Sequence, residues 1–182
     1  REMPVFETEI DPQLFPDLAD HVVGGSVIFP AAGFLELALE AAQLLFEDGR
    51  AEIETFELRR PLVLDAGRTK VVRVVYDAAG GGSLRVESRT RMHDEPWSTH
   101  AEGRMTCLSH GEAPAAPAPS RPEAVRVDAQ RHYAGAAALG LAYGPAFQTV
   151  RAVTCDRSGA RVELTAPAAT AASDYILDPA LF

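Results

Sequence analysis

From Ala31 to Asp48 the polar residues Glu36, Glu40, Gln43 and Glu47 recur at steps of four, three and four. Phe34, Leu35, Leu37, Leu39, Leu44, Leu45 and Phe46 take most of the other positions. This spacing predicts a helix that is apolar around most of its circumference and shows water only one thin stripe, and such a helix has to be wrapped by other structure. Gly49 supplies a stop. The segments that follow read as strands over 53–64, 69–77, 83–91 and 97–108. Val71-Val72-Arg73-Val74-Val75-Tyr76 is rich in β-branched residues, Leu84-Arg85-Val86-Glu87-Ser88 alternates, and Gly80-Gly81-Gly82 marks a turn between them. One buried helix followed by an antiparallel run predicts an α+β fold in which a sheet curls around a central helix, though the pattern by itself leaves other α+β arrangements open.

The second half starts again on a similar plan. Between His110 and Val125 the chain is rich in proline and alanine without periodicity, as expected of an extended linker. Beyond it a short helix is expected over 128–139 and strands over 149–156 and 160–164. Asp178-Pro179 reads as a helix start, with Asp178 the cap and Pro179 at the first helical position. The expected organisation is residues 1–109 as one unit, 110–125 as linker and 126–182 as the beginning of a second unit. Neither end has the look of a natural terminus, so a longer parent chain is expected.

A net charge of −9 argues against nucleic acid or an anionic membrane surface as the main partner, since both call for basic patches. Arg59-Arg60 and the series Arg85, Arg89, Arg91 alternate with apolar positions as a solvated strand face would. No apolar run is long enough to span a membrane and the start lacks signal-peptide organisation, so a cytoplasmic protein is expected. Cys107 and Cys155 lack metal-ligand spacing and read as buried, reduced thiols. His93, His100, His110 and His132 are scattered over strand ends and loops, and no metal set is expected from them. Trp97 is expected to anchor a strand.

The chemistry concentrates in His21-Val-Val-Gly-Gly-Ser-Val-Ile-Phe-Pro30. It places an imidazole, the side chain whose ordinary pKa of about 6.5 lies nearest neutrality, just before a proline-started helix. A helix start offers free N–H groups and the positive end of a dipole, which can hold an oxyanion. Pro30 has no N–H, so the backbone N–H of Ala31 is the first donor. Gly24 and Gly25 read equally as a close pass beside a substrate or as an ordinary turn. Phe29 and Val27 read as channel lining or as packing.

The spacing of His21, Gly25 and Pro30 resembles the active-site motif of the dehydratase domains of modular polyketide synthases and animal-type fatty acid synthases. A second signature of that family, glycine-tyrosine-glycine-proline-x-phenylalanine-glutamine, is matched by Ala142-Tyr143-Gly144-Pro145-Ala146-Phe147-Gln148, with alanine in the first glycine position. Leu177-Asp178-Pro179-Ala180-Leu181-Phe182 resembles the start of a third, which in the family runs on to a catalytic aspartate one residue past Phe182. The resemblance implies a hotdog fold: the first half of a double hotdog, plus the start of the second.

It also implies dehydration of a β-hydroxyacyl thioester to an α,β-enoyl thioester. His21 would be the general base, and the Ala31 N–H would hold the thioester oxygen. Gly25, Phe29, Pro30, Tyr143, Gly144 and Pro145 would line the substrate channel. No cofactor is implied beyond the phosphopantetheine on which an acyl carrier protein brings the substrate. The implied partners are that carrier and neighbouring synthase domains; pairing with a second copy is left open. The 182-residue chain alone is expected to be inactive for lack of the acid. The alternatives are a product-template cyclase or double-bond isomerase on the same fold, or a non-catalytic hotdog that holds acyl chains or dimerises a synthase. Thioesterase hotdogs, which usually work from a carboxylate in the helix region, fit less well.

Overall fold

A computed structural model describes residues 3–108, 124–157, 159–165 and 175–180. His110, most of the expected linker and Phe182 lie outside the described residues. The expected central helix is present as α1 (Ala31–Leu45), enclosed by a five-stranded antiparallel sheet. The strands are β1 (Val5–Ile10), β4 (Ala51–Leu58), β5 (Lys70–Asp77), β6 (Ser83–Thr90) and β7 (Ser98–Cys107), in the order β1-β5-β6-β7-β4.

Alternation along the strands builds the core. Val72, Val74 and Tyr76 of β5 and Leu84 and Val86 of β6 are nearly inaccessible, and they pack with Phe34, Ala38, Ala41 and Ala42 of α1. The alanines let the helix axis approach the sheet closely, which a ring of large side chains would prevent. On the other face of the sheet Arg73 and Arg89 lie over the Trp97 ring at 3.8 and 4.6 Å from its centre, and Arg73 also pairs with Glu87 at 2.8 Å. Trp97 thus anchors the entry to β7; of the other arginines in the series, Arg85 pairs with the buried Glu87 at 3.3 Å and Arg91 with Glu9 at 3.0 Å.

Four expectations change. The strand expected to reach Leu64 leaves the sheet after Leu58, at Arg59-Arg60-Pro61. Pro61 cannot donate to a ladder, and the Arg59 and Arg60 N–H groups both turn onto the His100 carbonyl. Leu62 and Leu64 then pair with another element described below. Glu36, expected in the water-facing stripe, is only 3% exposed because a remote segment of chain covers it. Cys107 and Cys155, expected to be buried, are free and exposed, since both point outward near strand ends. His100, assigned to strand ends and loops, lies within β7 and is buried between the Ser88 hydroxyl, the Arg60 carbonyl and the Phe34 ring.

The second half forms a three-stranded sheet, β11-β10-β8, from β8 (Val125–Asp128), β10 (Val150–Asp156) and β11 (Gly159–Leu164). Helix α2 (Ala129–Ala138) starts where Asp128 accepts a capping hydrogen bond from the Arg131 N–H at 2.8 Å. Three short strands not expected from periodicity join the halves: β2 (His21–Val23), β3 (Ser26–Val27) and β9 (Leu141–Tyr143), in the order β3-β2-β9.

Candidate active site

The hairpin of β2 and β3 is closed by Gly24 and Gly25, whose φ values of 58° and 82° suit a two-residue primed turn that side-chain-bearing residues resist. The turn reading therefore accounts for Gly25, which is exposed at the hairpin tip and borders none of the cavities around His21. One residue past the paired positions, His21 and Ile28 face each other. The Ile28 N–H donates to the His21 carbonyl at 3.0 Å, and the imidazole Nδ1 lies 2.8 Å from the Ile28 carbonyl oxygen. That oxygen can only accept, so the proton of the neutral ring sits on Nδ1 and Nε2 keeps its lone pair. Nε2 has no hydrogen-bond partner among the described residues.

The hairpin is held to the core by Leu62–Leu64: the Phe29 N–H donates to the Leu62 carbonyl and the Leu64 N–H to the Val27 carbonyl, both at 2.9 Å. On the other edge β2 pairs with β9 so that His21 stands opposite Tyr143. The rings of Tyr143 and Phe147 lie 5.3 and 5.0 Å from the imidazole, centre to centre. Half-buried among these rings, His21 has its pKa lowered below 6.5 by desolvation, opposed by the hydrogen bond to Ile28. At neutral pH the ring is an unprotonated base.

The second signature is a scaffold for this contact. The Asp20 carboxylate accepts from the Ala146 N–H at 2.8 Å, and the Gly144 N–H donates to the Asp20 carbonyl at 2.8 Å. The side-chain amide of Gln148 donates to the Tyr143 carbonyl at 2.7 Å. Tyr133 of α2 fixes the far end, its hydroxyl accepting from the Val150 N–H at 2.8 Å. Periodicity alone gave no signal for Tyr133 or Asp20.

A cavity of about 390 Å³ opens beside the imidazole, bordered by His21, Pro30, Ala31, Tyr143, Phe147 and Pro179 among others. Pro30 ends the extended segment at φ −66° and ψ 149° and Ala31 begins the helix, so the Ala31 N–H is the first free donor of α1, with no partner among the described residues. The cavity lining holds no carboxylate among the described residues. His21, Ala31, Pro30 and Tyr143 are thus brought together. Phe29 is buried and borders two adjoining cavities, one of which His21 shares. Gly144 borders a separate cavity behind Tyr143, and Pro145 starts a 3-10 turn (Pro145–Phe147) without bordering the cavities described. Asp178 accepts from the Ala180 N–H at 2.9 Å, as a cap does, and borders a different cavity from that of the imidazole. Arg59 is paired with Glu57 and Glu102, both at 2.8 Å. Among the described residues no group of three or more histidines, cysteines or carboxylates could hold a metal ion. No helix among them is long and apolar enough to cross a membrane.

Comparison with known proteins matches residues 1–91 to the family described as polyketide synthase dehydratase domain and residues 111–182 to the polyketide synthase dehydratase N-terminal domain. Polyketide synthase GfsB of Streptomyces halstedii is 37% identical over 97% of this chain, and the match spans 3% of its own length. A solved chain from work on dehydratase substrate selection for the borrelidin and fluvirucin polyketide synthases is 30% identical, with a TM-score of 0.78 over 97% of this chain and 63% of that one. The CurK dehydratase has been solved as two inactive mutants, one with a histidine replaced by phenylalanine and one with an aspartate replaced by asparagine. They are 25% and 26% identical to this chain, with TM-scores of 0.85 and 0.83 over 100% and 98% of it and 66% of each solved chain.

Proposed function

The chain belongs to the polyketide synthase dehydratase family, and on that premise we propose that it carries the base half of a site that dehydrates β-hydroxyacyl thioesters. The observation that carries this reading is the commitment of the His21 Nδ1 proton to the Ile28 carbonyl, which leaves Nε2 free on a ring bordering the same cavity as the Ala31 N–H.

Nε2 takes a proton from the carbon between the thioester carbonyl and the hydroxyl-bearing carbon. The C–H electron pair moves toward the carbonyl, and the thioester oxygen gains negative charge that the Ala31 N–H and the positive end of α1 stabilise. The electrons return to form the carbon–carbon double bond as the hydroxyl leaves. Hydroxide is a poor leaving group and needs a proton, so an acid completes the reaction and water is released. The inactive aspartate mutant of the CurK dehydratase supports an aspartate in that role, and its inactive histidine mutant supports the role given to His21. On the family resemblance the acid is an aspartate past Phe182, and on that reading the 182-residue chain alone is expected not to turn over. The steps are a proton abstraction and an acid-assisted C–O cleavage, with no net change of oxidation state, so no redox group is called for.

The substrate would arrive on the phosphopantetheine arm of an acyl carrier protein, from neighbouring domains of a synthase such as those that the curated relatives represent. Two free thiols fit a reducing cytoplasm. Both matched families are described as dehydratases, which does not favour the cyclase, isomerase or non-catalytic readings.

The test is His21→Ala in a protein extended past Phe182 to the length of a full dehydratase domain, assayed by product mass on a carrier-bound β-hydroxyacyl substrate. Loss of the water-loss product in the variant is expected. Undiminished turnover, or a wild-type product of unchanged mass, would overturn the reading.

A further inference from the structure

Glu36 is the one acidic residue of α1 that lies in the protein interior, 3% exposed, at a cavity that Phe15, Leu18, Phe29 and Leu37 border together with Glu40. A carboxylate there is costly unless it is well hydrogen-bonded. Its two oxygens each accept a backbone N–H from chain 140 residues away, Oε1 from Ile176 at 2.8 Å and Oε2 from Leu177 at 2.6 Å. Bonds of this charge-assisted kind are roughly twice as strong as neutral ones.

The segment so held, Tyr175–Ala180, is short and has no helix or strand of its own among the described residues. It is pinned at a second point, where the Thr149 hydroxyl donates to the Ala180 carbonyl at 2.9 Å. Between the two pins stands Pro179, which with Ala180 forms part of the wall of the cavity bordered by His21 and Ala31. Glu36 follows Ala31 by five residues on one rigid helix, about 7.5 Å along its axis at 1.5 Å per residue. One element therefore carries both a free N–H, on a residue that borders the cavity, and the carboxylate that holds a segment forming part of the cavity's wall.

We propose that Glu36 is a positioning residue for the dehydration, acting through the Tyr175–Ala180 segment: its carboxylate fixes the Pro179–Ala180 wall at a set distance from His21 and Ala31. This rests on the dehydratase reading above. Misplacing a reacting group by about 1 Å can cost 10²-fold in rate with little change in how the remote part of a substrate binds, so the effect falls on kcat more than on KM.

The test uses Glu36→Met and Glu36→Gln in the same extended protein, with His21→Ala alongside. Methionine has similar length and suits a buried helix face, so it should keep the fold while deleting both hydrogen bonds. Glutamine keeps one carbonyl acceptor. We expect kcat to fall at least about tenfold in Glu36→Met and by less in Glu36→Gln, with KM within about twofold. Amide exchange should quicken at Ile176 and Leu177 and hold at Val74 and Val86 of the core. Unchanged kcat in Glu36→Met, with His21→Ala inactive, would overturn the role of Glu36 and leave the dehydratase reading standing. A kcat loss that only tracks lost folded protein in both variants, with exchange raised everywhere, would overturn it too. Turnover by His21→Ala would instead sink the reading on which it rests.

Discussion

His21 and the backbone of Ile28 are joined twice, by the Ile28 N–H to the His21 carbonyl at 3.0 Å and by the imidazole Nδ1 to the Ile28 carbonyl oxygen at 2.8 Å. The first bond is ordinary hairpin pairing. The second sets the tautomer, so a local strand pairing decides which nitrogen is basic.

The first prediction concerns rate against pH. Burial lowers the His21 pKa below 6.5, and the base must be unprotonated to act. In the extended protein kcat/KM should therefore be flat on its acidic side at neutral pH and fall only as pH drops through a value below 6.5. An acidic limb centred above 6.5 would show that burial does not dominate at this ring.

Ala31→Pro isolates the proposed oxyanion donor. Pro30 already has the extended conformation that a following proline demands, and the first helical position accepts proline because its N–H is free in any case. The substitution removes one N–H and little else. We expect kcat to fall by about 10²–10³, as when a single oxyanion donor is lost, with the melting temperature nearly unchanged. A fully active variant would transfer the role to another donor.

Gly144→Ala should damage the site from behind. A Cβ there would stand 2.3 Å from the Asp20 carboxyl carbon, so the carboxylate that accepts from the Ala146 N–H must leave. The turn that places Phe147 and Tyr143 against the imidazole would loosen. The expected result is reduced kcat and a stability loss on the order of 1–3 kcal/mol, the usual cost of overpacking. Denaturant unfolding gives the stability term; wild-type values in both measurements would contradict the packing argument.

Stability should also depend on pH. The pKa values of His21 and His100 are both lowered, mainly by desolvation, so the folded state resists their protonation while the unfolded chain takes up protons near 6.5. Their contribution is fully present above 6.5 and is lost as pH falls from there toward the folded values. Thermal melting at pH 7.5 and 5.5 should show a lower midpoint at 5.5, and a smaller drop in His100→Gln. Equal midpoints in the wild type would refute the linkage.

Much of this organisation is legible in the chain because periodicity is local. The apolar run of α1 and the alternation in β5 and β6 each depend on residues within a turn or a strand of one another, while His21, Pro30 and Tyr143 stand out through motifs shared with a known family. Glu36 shows where that stops. Its step of four from Glu40 marks it as polar and water-facing, and nothing nearby in sequence reveals that Ile176 and Leu177 will cover it. Cys107 and Cys155 failed likewise, because apolar composition does not say which side of an exposed strand end faces out.

By itself, then, the sequence determined the wrapped helix, four of the five strands around it, without β1, and which residues could do chemistry. Tertiary structure alone decided how those residues act: the pairing of β2 with β9 that sets His21 against Tyr143, the burial that lowers the ring's pKa, and the cover that Ile176 and Leu177 place over Glu36. The physical reason is range. Secondary structure, and the hairpin bond that fixes the Nδ1 proton, follow from preferences a few residues apart, whereas the rings around the imidazole and the cavity's wall follow from contacts between segments more than a hundred residues apart, which exist only once the core has brought them together.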